Sequence, residues 1–337
     1  MKNPRAKHNF LGRTCSITGV GSYVPDRILT NADLEKMIET SDEWITTRTG
    51  IKERRIAAAD EFTSDLAAKA AQRAIAMAGV TAEQIDLIIV ASITPDMPFP
   101  NTACLVQQKI GARRIPSFDI EAACSGFIYA LEIGHQFIMS RTYETVLVIG
   151  AEKLSSITNW KDRNTCVLFG DGAGAAILQN RPSSHGLLTT ALGADGGKAE
   201  LLSMPGGGSR CPATAQTVTD GLHFLRMDGK ETFKNAVQAM CSAATEVLER
   251  CEIDITKIKC VIPHQANRRI IDAVGERLGA TPEQLFVNLH KYGNTSAASV
   301  AIALDEAVHS GKIQRGDLIL IIAFGAGLTW GAAVIEW

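Results

Sequence analysis

The feature that most constrains this chain is a repeat of strand-like segments at one fixed offset. IDLIIVAS begins at residue 85 and IKCVIPHQ at 258, while TVLVIGA begins at 145 and LILIIAF at 318. Both pairs are 173 residues apart in a chain of 337. Any α/β chain repeats short apolar runs, but two equal offsets near half the chain length point to an internal duplication. The expected architecture is α/β, with two similar halves whose sheets pack through helices. The expected divisions are an extension over residues 1–12, a first half over 13–185 and a second half over 186–337.

Strand and helix patterns alternate within each half. SITGV (16–20), DLIIVAS (86–92), TVLVIGA (145–151) and GAAIL (174–178) read as strands. Thr63 or Ser64 is placed to cap a helix through Met77, which Gly79 ends. A further helix over 125–141 puts Phe127, Leu131, Gly134 and Ile138 on one face. In the second half, Phe233, Val237, Met240, Ala244 and Val247 mark an amphipathic helix. KCVI (259–262), LILIIAF (318–324) and GAAVI (331–335) are strands, and 298–310 is a helix ended by Gly311. The uncharged run from Leu318 to Ile335 approaches the length of a membrane span. Three glycines divide it and β-branched residues crowd its ends, so two buried strands joined by a turn fit better.

Composition narrows the function classes. Apolar residues make up 46% and charged residues 21%, which excludes disorder as the main state. A net charge of −2 gives no general attraction to nucleic acid or an anionic membrane. Eight cysteines form no C-x-x-C and no Cys/His cluster of zinc spacing, so no metal is expected. They lie in stretches such as KCVI and TACLV, as reduced core residues of a cytoplasmic protein would. The basic start MKNPRAKHNFLGR has no apolar segment behind it, and no signal peptide is read. GDGAGAA (170–176) imitates a dinucleotide fingerprint, but a strand follows it where the pyrophosphate-binding helix should begin. GVGSYVP (19–25) has two of the three glycines and then a proline.

Three segments carry possible chemistry. EAACSGF (121–127) places Cys124 where the 125–141 helix begins. Free N–H groups and the helix dipole there favour an anion, so a raised thiolate fraction is expected. A lone cysteine is more often a buried structural residue. IPHQANRR (262–269) puts His264 just past a strand, at a junction where polar groups gather. HKYGNTSAAS (290–299) puts Asn294 before the helix that duplicates the Cys124 helix. A lone His is commonly a satisfied core residue, and an Asn before a helix is commonly its cap. A pseudo-twofold between the halves would bring these three ends to one centre. The turn FGAGLTWG (324–331) offers backbone N–H groups suited to an oxyanion, or is simply a tight strand connection.

At these segments the chain resembles the β-ketoacyl-acyl-carrier-protein synthase III family of condensing enzymes. The matching blocks are TNADLEKMIETSDEWITTRTGI (30–51), EAACSGF, FGDGAGAAIL, VIPHQANRRI, GNTSAAS, ALDEAV and FGAGLTWGAA. They run from about residue 16 to the C-terminus, leaving out the first dozen residues and 203–216. The resemblance implies a thiolase-like fold in five layers, αβαβα. It implies decarboxylative condensation of a short acyl-CoA with malonyl-acyl carrier protein, which initiates type II fatty acid synthesis. Cys124 would be the acylated nucleophile. His264 and Asn294 would hydrogen-bond the malonyl thioester carbonyl. The backbone N–H groups of Cys124 and Ala326 would form the oxyanion hole, with Ala326 standing where the family often has Gly.

The same resemblance assigns coenzyme A contacts to Thr40, Trp44, Arg48, Arg163, Asn164 and Asn267. It assigns carrier-protein contacts to Lys234 and Arg269, with Arg268 as a neighbouring charge. Phe99, Phe169 and Phe324 would line the acyl pocket, Phe99 from the partner subunit of a homodimer. No cofactor beyond the acyl-CoA substrate is implied, and no nucleic-acid or membrane partner. A polyketide or quinolone-type initiating ketosynthase would share the three catalytic residues. HMG-CoA synthase, on the same fold, needs an acidic general base, and the sequence places none. A cysteine thioester hydrolase is a remote alternative. The papain-like order Cys, His, Asn is present, but its local signature around the nucleophile is not.

Overall fold

Strands that are apolar at every position must be covered on both faces, and two sheets and three helical layers meet that demand. The computed structural model describes residues 14–181 and 186–337. The expected extension over 1–12 and the end of the first half at 185 lie outside the described residues. The first sheet contains β1 (Thr14–Tyr23), β2 (Leu87–Ala91), β3 (Ser117–Ile120), β4 (Thr145–Glu152) and β5 (Gly172–Arg181), in the order β1-β5-β4-β2-β3. The second contains β6 (Gly186–Ala194), β7 (Cys260–Pro263), β8 (Leu318–Gly325) and β9 (Thr329–Glu336), in the order β6-β9-β8-β7. In both, the first two neighbouring pairs are antiparallel and the third is parallel. The 173-residue repeat is therefore a repeat of topology.

Seven helices matter for the site: α1 (Asp42–Thr49), α2 (Thr63–Ala78), α3 (Thr102–Lys109), α4 (Gly126–Met139), α5 (Gly229–Cys251), α6 (Arg268–Leu278) and α7 (Ala298–His309). Alternate residues of each strand serve opposite layers. Ile88, Val90, Leu147 and Ile149 pack on Leu66, Ala70 and Ala74 of α2 and Val106 of α3. Leu87, Ile89, Val146 and Val148 face Leu131 of α4 and Val300 of α7 instead. Ile262, Ile319, Ile321 and Ala333 close the other side of α4 and α7. Val261, Leu320, Ile322 and Val334 face α5 and α6 through Met240, Ala244, Val247 and Val274. The layers are α2/α3, sheet, α4/α7, sheet, α5/α6, the expected αβαβα order. The middle layer takes one helix from each half.

Local details both follow and correct the sequence reading. The run 318–335 is the β8–β9 hairpin, and among the described residues no helix is long and apolar enough to cross a membrane. GDGAGAA leads into strand β5. A Cβ on Gly174 would stand 2.4 Å from Ala301 Cβ, so that glycine lets α7 approach the sheet. Neither Thr63 nor Ser64 caps α2. Phe62 holds the cap position, its N–H donating to the Asp65 carboxylate at 2.9 Å, while the Ser64 N–H donates to Asp96 at 2.8 Å. Two carboxylates thus take the free donors that a hydroxyl cap was expected to take. Gly79 closes α2 with φ +66. Cys104 is exposed, unlike the core residue expected of TACLV.

Candidate active site

The nucleophile candidate lies where β3 hands over to α4. A short 3-10 turn over Ala123–Ser125 precedes the helix, and Ala123 takes the left-handed φ of +45 to make the bend. Cys124 is 7% exposed. The end of β8 presses against this turn: a Cβ on Gly325 would lie 2.6 Å from the Cys124 amide nitrogen. Any side chain there collides with backbone. The Thr329 hydroxyl donates to the Ala122 carbonyl at 2.9 Å, with the Ala326 carbonyl at 3.0 Å as a second acceptor. One hydroxyl thereby ties the Cys124 turn to the β8–β9 loop. Ala326 is not among the positive-φ residues, and Gly327 carries that conformation at φ +131. Alanine is therefore tolerated where the family often has glycine.

His264 follows the last residue of β7. Its N–H donates to the Ile322 carbonyl at 2.7 Å, extending the ladder with β8. Its Nδ1 lies 2.5 Å from the Ser299 hydroxyl on α7, which leaves Nε2 for the cavity. Asn294 belongs to the loop before α7 and is held by the other half. Its N–H donates to the Leu168 carbonyl at 2.8 Å, and its carbonyl accepts from the Gly170 N–H at 3.0 Å. The Asn294 Oδ1 accepts from the Ser296 N–H at 2.8 Å, so the amide NH₂ remains as a donor. Cys124, His264 and Asn294 line one cavity of about 1110 Å³, together with Phe169, Phe324 and Ala326.

Burial dominates the electrostatics. It pushes the Cys124 thiol up to about 12, opposed by the Ser296 hydroxyl beside it. Burial therefore works against the expected enrichment in thiolate. A helix terminus supplies about 0.3–1 kcal/mol, less than one pKa unit, and desolvation outweighs it. Burial also drives His264 down to about 3, which favours the neutral imidazole. Behind the thiol lies Glu152, the last residue of β4, with no solvent exposure. Burial raises it to about 7. Its carboxylate accepts from the Thr94 hydroxyl at 2.5 Å and from the Ser92 hydroxyl and Ile93 N–H at 3.2 Å. The sequence reading placed no acid here. A single acid ending an apolar strand was the available signal.

The outer part of the cavity gathers some of the remaining candidates. Trp44, Arg48, Asn164, Asn267 and Arg269 line it. Arg163 and Arg48 stack on the Trp44 ring at 4.1 and 4.8 Å from its centroid. Thr40 and Arg163 are not lining residues, yet Thr40 Oγ1 and Arg163 Nε are buried without hydrogen-bond partners. Asn267 caps α6, accepting from the Arg269 N–H at 2.9 Å, and donates to the Arg48 carbonyl at 3.1 Å. Arg268 faces elsewhere, pairing with Asp272 at 2.7 Å beside a separate depression. Lys234 is exposed on α5 but outside the lining. Phe99 is 84% exposed and away from its own chain's cavity. Of the 203–216 segment, which the matching blocks leave out, Ser203 and Met204 line the cavity.

Known proteins resemble this chain over nearly its whole length. Residues 118–196 match the family model for 3-oxoacyl-[acyl-carrier-protein] synthase III, and 248–337 match the model for its C-terminal part. The β-ketoacyl-[acyl-carrier-protein] synthase III of Caldanaerobacter subterraneus is 59% identical over 95% of this chain and 97% of that protein. The crystal structure of 3-oxoacyl-[acyl-carrier-protein] synthase III from Aquifex aeolicus superposes with a TM-score of 0.90 at 50% identity, covering 96% of this chain and 100% of that one. A priming β-ketosynthase of a polyketide pathway gives 0.89 at 36% identity, covering 96% of each chain. A duplicated five-layer fold, a buried Cys/His/Asn centre and these likenesses together show that the chain belongs to the β-ketoacyl-acyl-carrier-protein synthase III family.

Proposed function

We propose that Cys124, His264 and Asn294 are the catalytic residues of this condensing enzyme. As a family member the chain is an acyltransferase that joins an acyl-CoA primer to malonyl-acyl carrier protein and so initiates type II fatty acid synthesis. The observation that carries the residue assignment is convergence: three segments far apart in sequence put these side chains on one cavity. Cys124 attacks the acyl-CoA carbonyl, and the N–H groups of Cys124 and Ala326 receive the oxyanion. Coenzyme A leaves and the malonyl thioester enters. His264 Nε2–H and the Asn294 amide donate to its carbonyl oxygen, where charge develops as CO₂ is lost. The resulting enolate carbon attacks the acyl-Cys124 thioester. Two half-reactions give ping-pong kinetics, and these steps call on no metal or redox carrier.

The binding roles follow the same reading. Trp44, with Arg48 and Arg163 stacked on it, forms a platform for an adenine and its phosphates. Thr40, Asn164 and Asn267 supply polar contacts around it. Arg269 at the cavity rim and the exposed Lys234 offer positive charge to an acidic carrier protein; Arg268, paired with Asp272, contributes less. The exposed Phe99 suits insertion into the acyl pocket of a partner subunit, beside that subunit's counterparts of Phe169 and Phe324. Residues 13–185 and 186–337 are taken as the two duplicated halves, each supplying one sheet. The likeness to a polyketide priming synthase keeps malonyl-CoA as an alternative extender.

The deciding experiment is intact-mass analysis after mixing with acetyl-CoA, beside Cys124→Ala. One acetyl adduct on the wild type and none on the variant is expected. Malonyl-acyl carrier protein should then discharge the adduct and yield acetoacetyl-acyl carrier protein. Discharge by malonyl-CoA at a comparable rate favours the polyketide reading. Loss of the adduct to water alone indicates a hydrolase. No adduct across a panel of longer and branched acyl-CoAs overturns the assignment of Cys124.

A further inference from the structure

The acylation step needs a thiolate, and burial of Cys124 disfavours one. Burial holds Cys124 as the thiol, and the adjacent imidazole is a poor proton acceptor. His264 is itself driven towards neutrality by burial, and its Nδ1 is taken by Ser299. Among the described residues, Glu152 is the buried acid whose charge acts on Cys124.

Between them stands Ser296. Its hydroxyl lies beside the Cys124 thiol and the Glu152 carboxylate, near enough to lower the pKa of both. It has an aligned hydrogen bond to neither, and is a buried polar atom without a partner. Ser296 is 1% exposed and lines the same cavity as Cys124. Its φ is +48, the left-handed region that a residue with a side chain occupies only under constraint. That constraint includes the Ser296 N–H bonded to Asn294. The conformation holds an unpartnered hydroxyl in the cavity that Cys124 also lines.

The surroundings of Glu152 suit a group that gains and loses a proton. Ser92, Ile93 and Thr94 approach from the segment after β2, Ser296 from the loop before α7, and Cys124 from the turn before α4. All are hydroxyl, thiol or N–H groups. No cation among the groups that shift it fixes the carboxylate as an anion, unlike a carboxylate in a buried ion pair.

We propose that Glu152 and Ser296 form a proton relay that activates Cys124 for acylation. The thiol proton passes to the Ser296 oxygen while the Ser296 hydroxyl proton passes to Glu152. The sulfur then attacks the acyl carbonyl and the bond to the coenzyme A sulfur breaks. The proton returns from Glu152 through the same hydroxyl to the departing coenzyme A thiolate. Glu152 begins and ends each acylation as the carboxylate, and Ser296 is unchanged. This inference rests on Cys124 being the nucleophile.

The test separates the half-reactions in Glu152→Gln and Ser296→Ala. Single-turnover transfer from the acyl-CoA that labels the wild type is followed by intact mass. Discharge of the pre-acylated protein by malonyl-acyl carrier protein is followed separately. Both variants are expected to acylate about 10²-fold more slowly or worse, the scale of lost acid–base assistance, and to discharge at the wild-type rate. Alkylation of Cys124 by iodoacetamide gives a second readout. Its rate in the wild type should rise with pH as Glu152 ionises, and that limb should vanish in Glu152→Gln. A carboxylate that merely repels the thiolate gives the opposite sign: Glu152→Gln would then speed alkylation and acylation. That result overturns the relay, as does equal slowing of both half-reactions or unchanged acylation in either variant. An error in the nucleophile itself would show separately, as an unlabelled wild type or a labelled Cys124→Ala.

Discussion

A neutral histidine beside an amide makes a pair of donors whose strength does not depend on titration near neutral pH. His264 has Nδ1 committed to Ser299, and Asn294 has Oδ1 committed to Ser296. On the proposed mechanism each is left with one donor group for the enolate. Replacing either with Ala is expected to leave acyl transfer to Cys124 intact. Condensation should fall by about 10²–10³, the usual loss for one oxyanion donor, as single-turnover rates of each half-reaction would show. Because burial pushes His264 down to about 3, an acid limb from its protonation should appear only near that pH. That the three would converge was legible because Cys124 and Asn294 precede duplicated helices and His264 follows a strand. Glu152 was not. The shell that buries it comes from residues 92–94 and 296, distant in sequence, and a terminal acid on a strand usually reads as a solvated end. The thiol's protonation state was misread for the same reason: desolvation belongs to the folded site.

At the scale of elements, the central layer sets the tolerances. α4 and α7 lie between two sheets, so their distance from each strand is fixed by the smallest residues at the contact. Gly174 on β5 faces Ala301 on α7 with no room for a methyl group. Gly174→Ala is expected to cost about 1–3 kcal/mol through overpacking, read as a lower denaturation midpoint. The obstructing atoms include α7 backbone, so rotamer changes cannot relieve the clash. In sequence these glycines sit in GDGAGAA, which looks like a phosphate loop until the following strand is recognised. Strands with continuous apolar runs were readable, as was the 318–335 hairpin. β6 gives a weak strand signal in sequence because GLLTTALGA mixes polar residues and glycine into a strand with several part-exposed positions. The α2 cap was misplaced because Asp65 and Asp96 compete with the nearby hydroxyls for the same free N–H groups.

For the whole molecule, the duplication explains why titratable groups end up in a dry centre. Two halves that meet through a buried helical layer leave the ends of their strands facing one another, and the chemistry is assembled there at some expense of stability. The expense has a sign that can be measured. Glu152 has its folded pKa raised from 4.5 to about 7, so the folded state holds an extra proton between those values. Its contribution to stability is full below pH 4.5 and is lost as the pH rises to about 7. His264 acts oppositely. Its folded pKa falls from 6.5 to about 3, so stability is full above 6.5 and declines on acidification below it. The two partly cancel between pH 4.5 and 6.5 and would be hard to separate in the wild type. Glu152→Gln removes one of them. The unfolding free energy of this variant, relative to wild type, should therefore climb as pH rises from 4.5 to about 7 and then level off. At 1.36 kcal/mol per pKa unit the climb is roughly 3 kcal/mol. Chemical denaturation of both proteins across that range would measure it. A flat difference would mean that folding does not raise the Glu152 pKa, which would remove the added basicity that suits it to take the proton of Cys124.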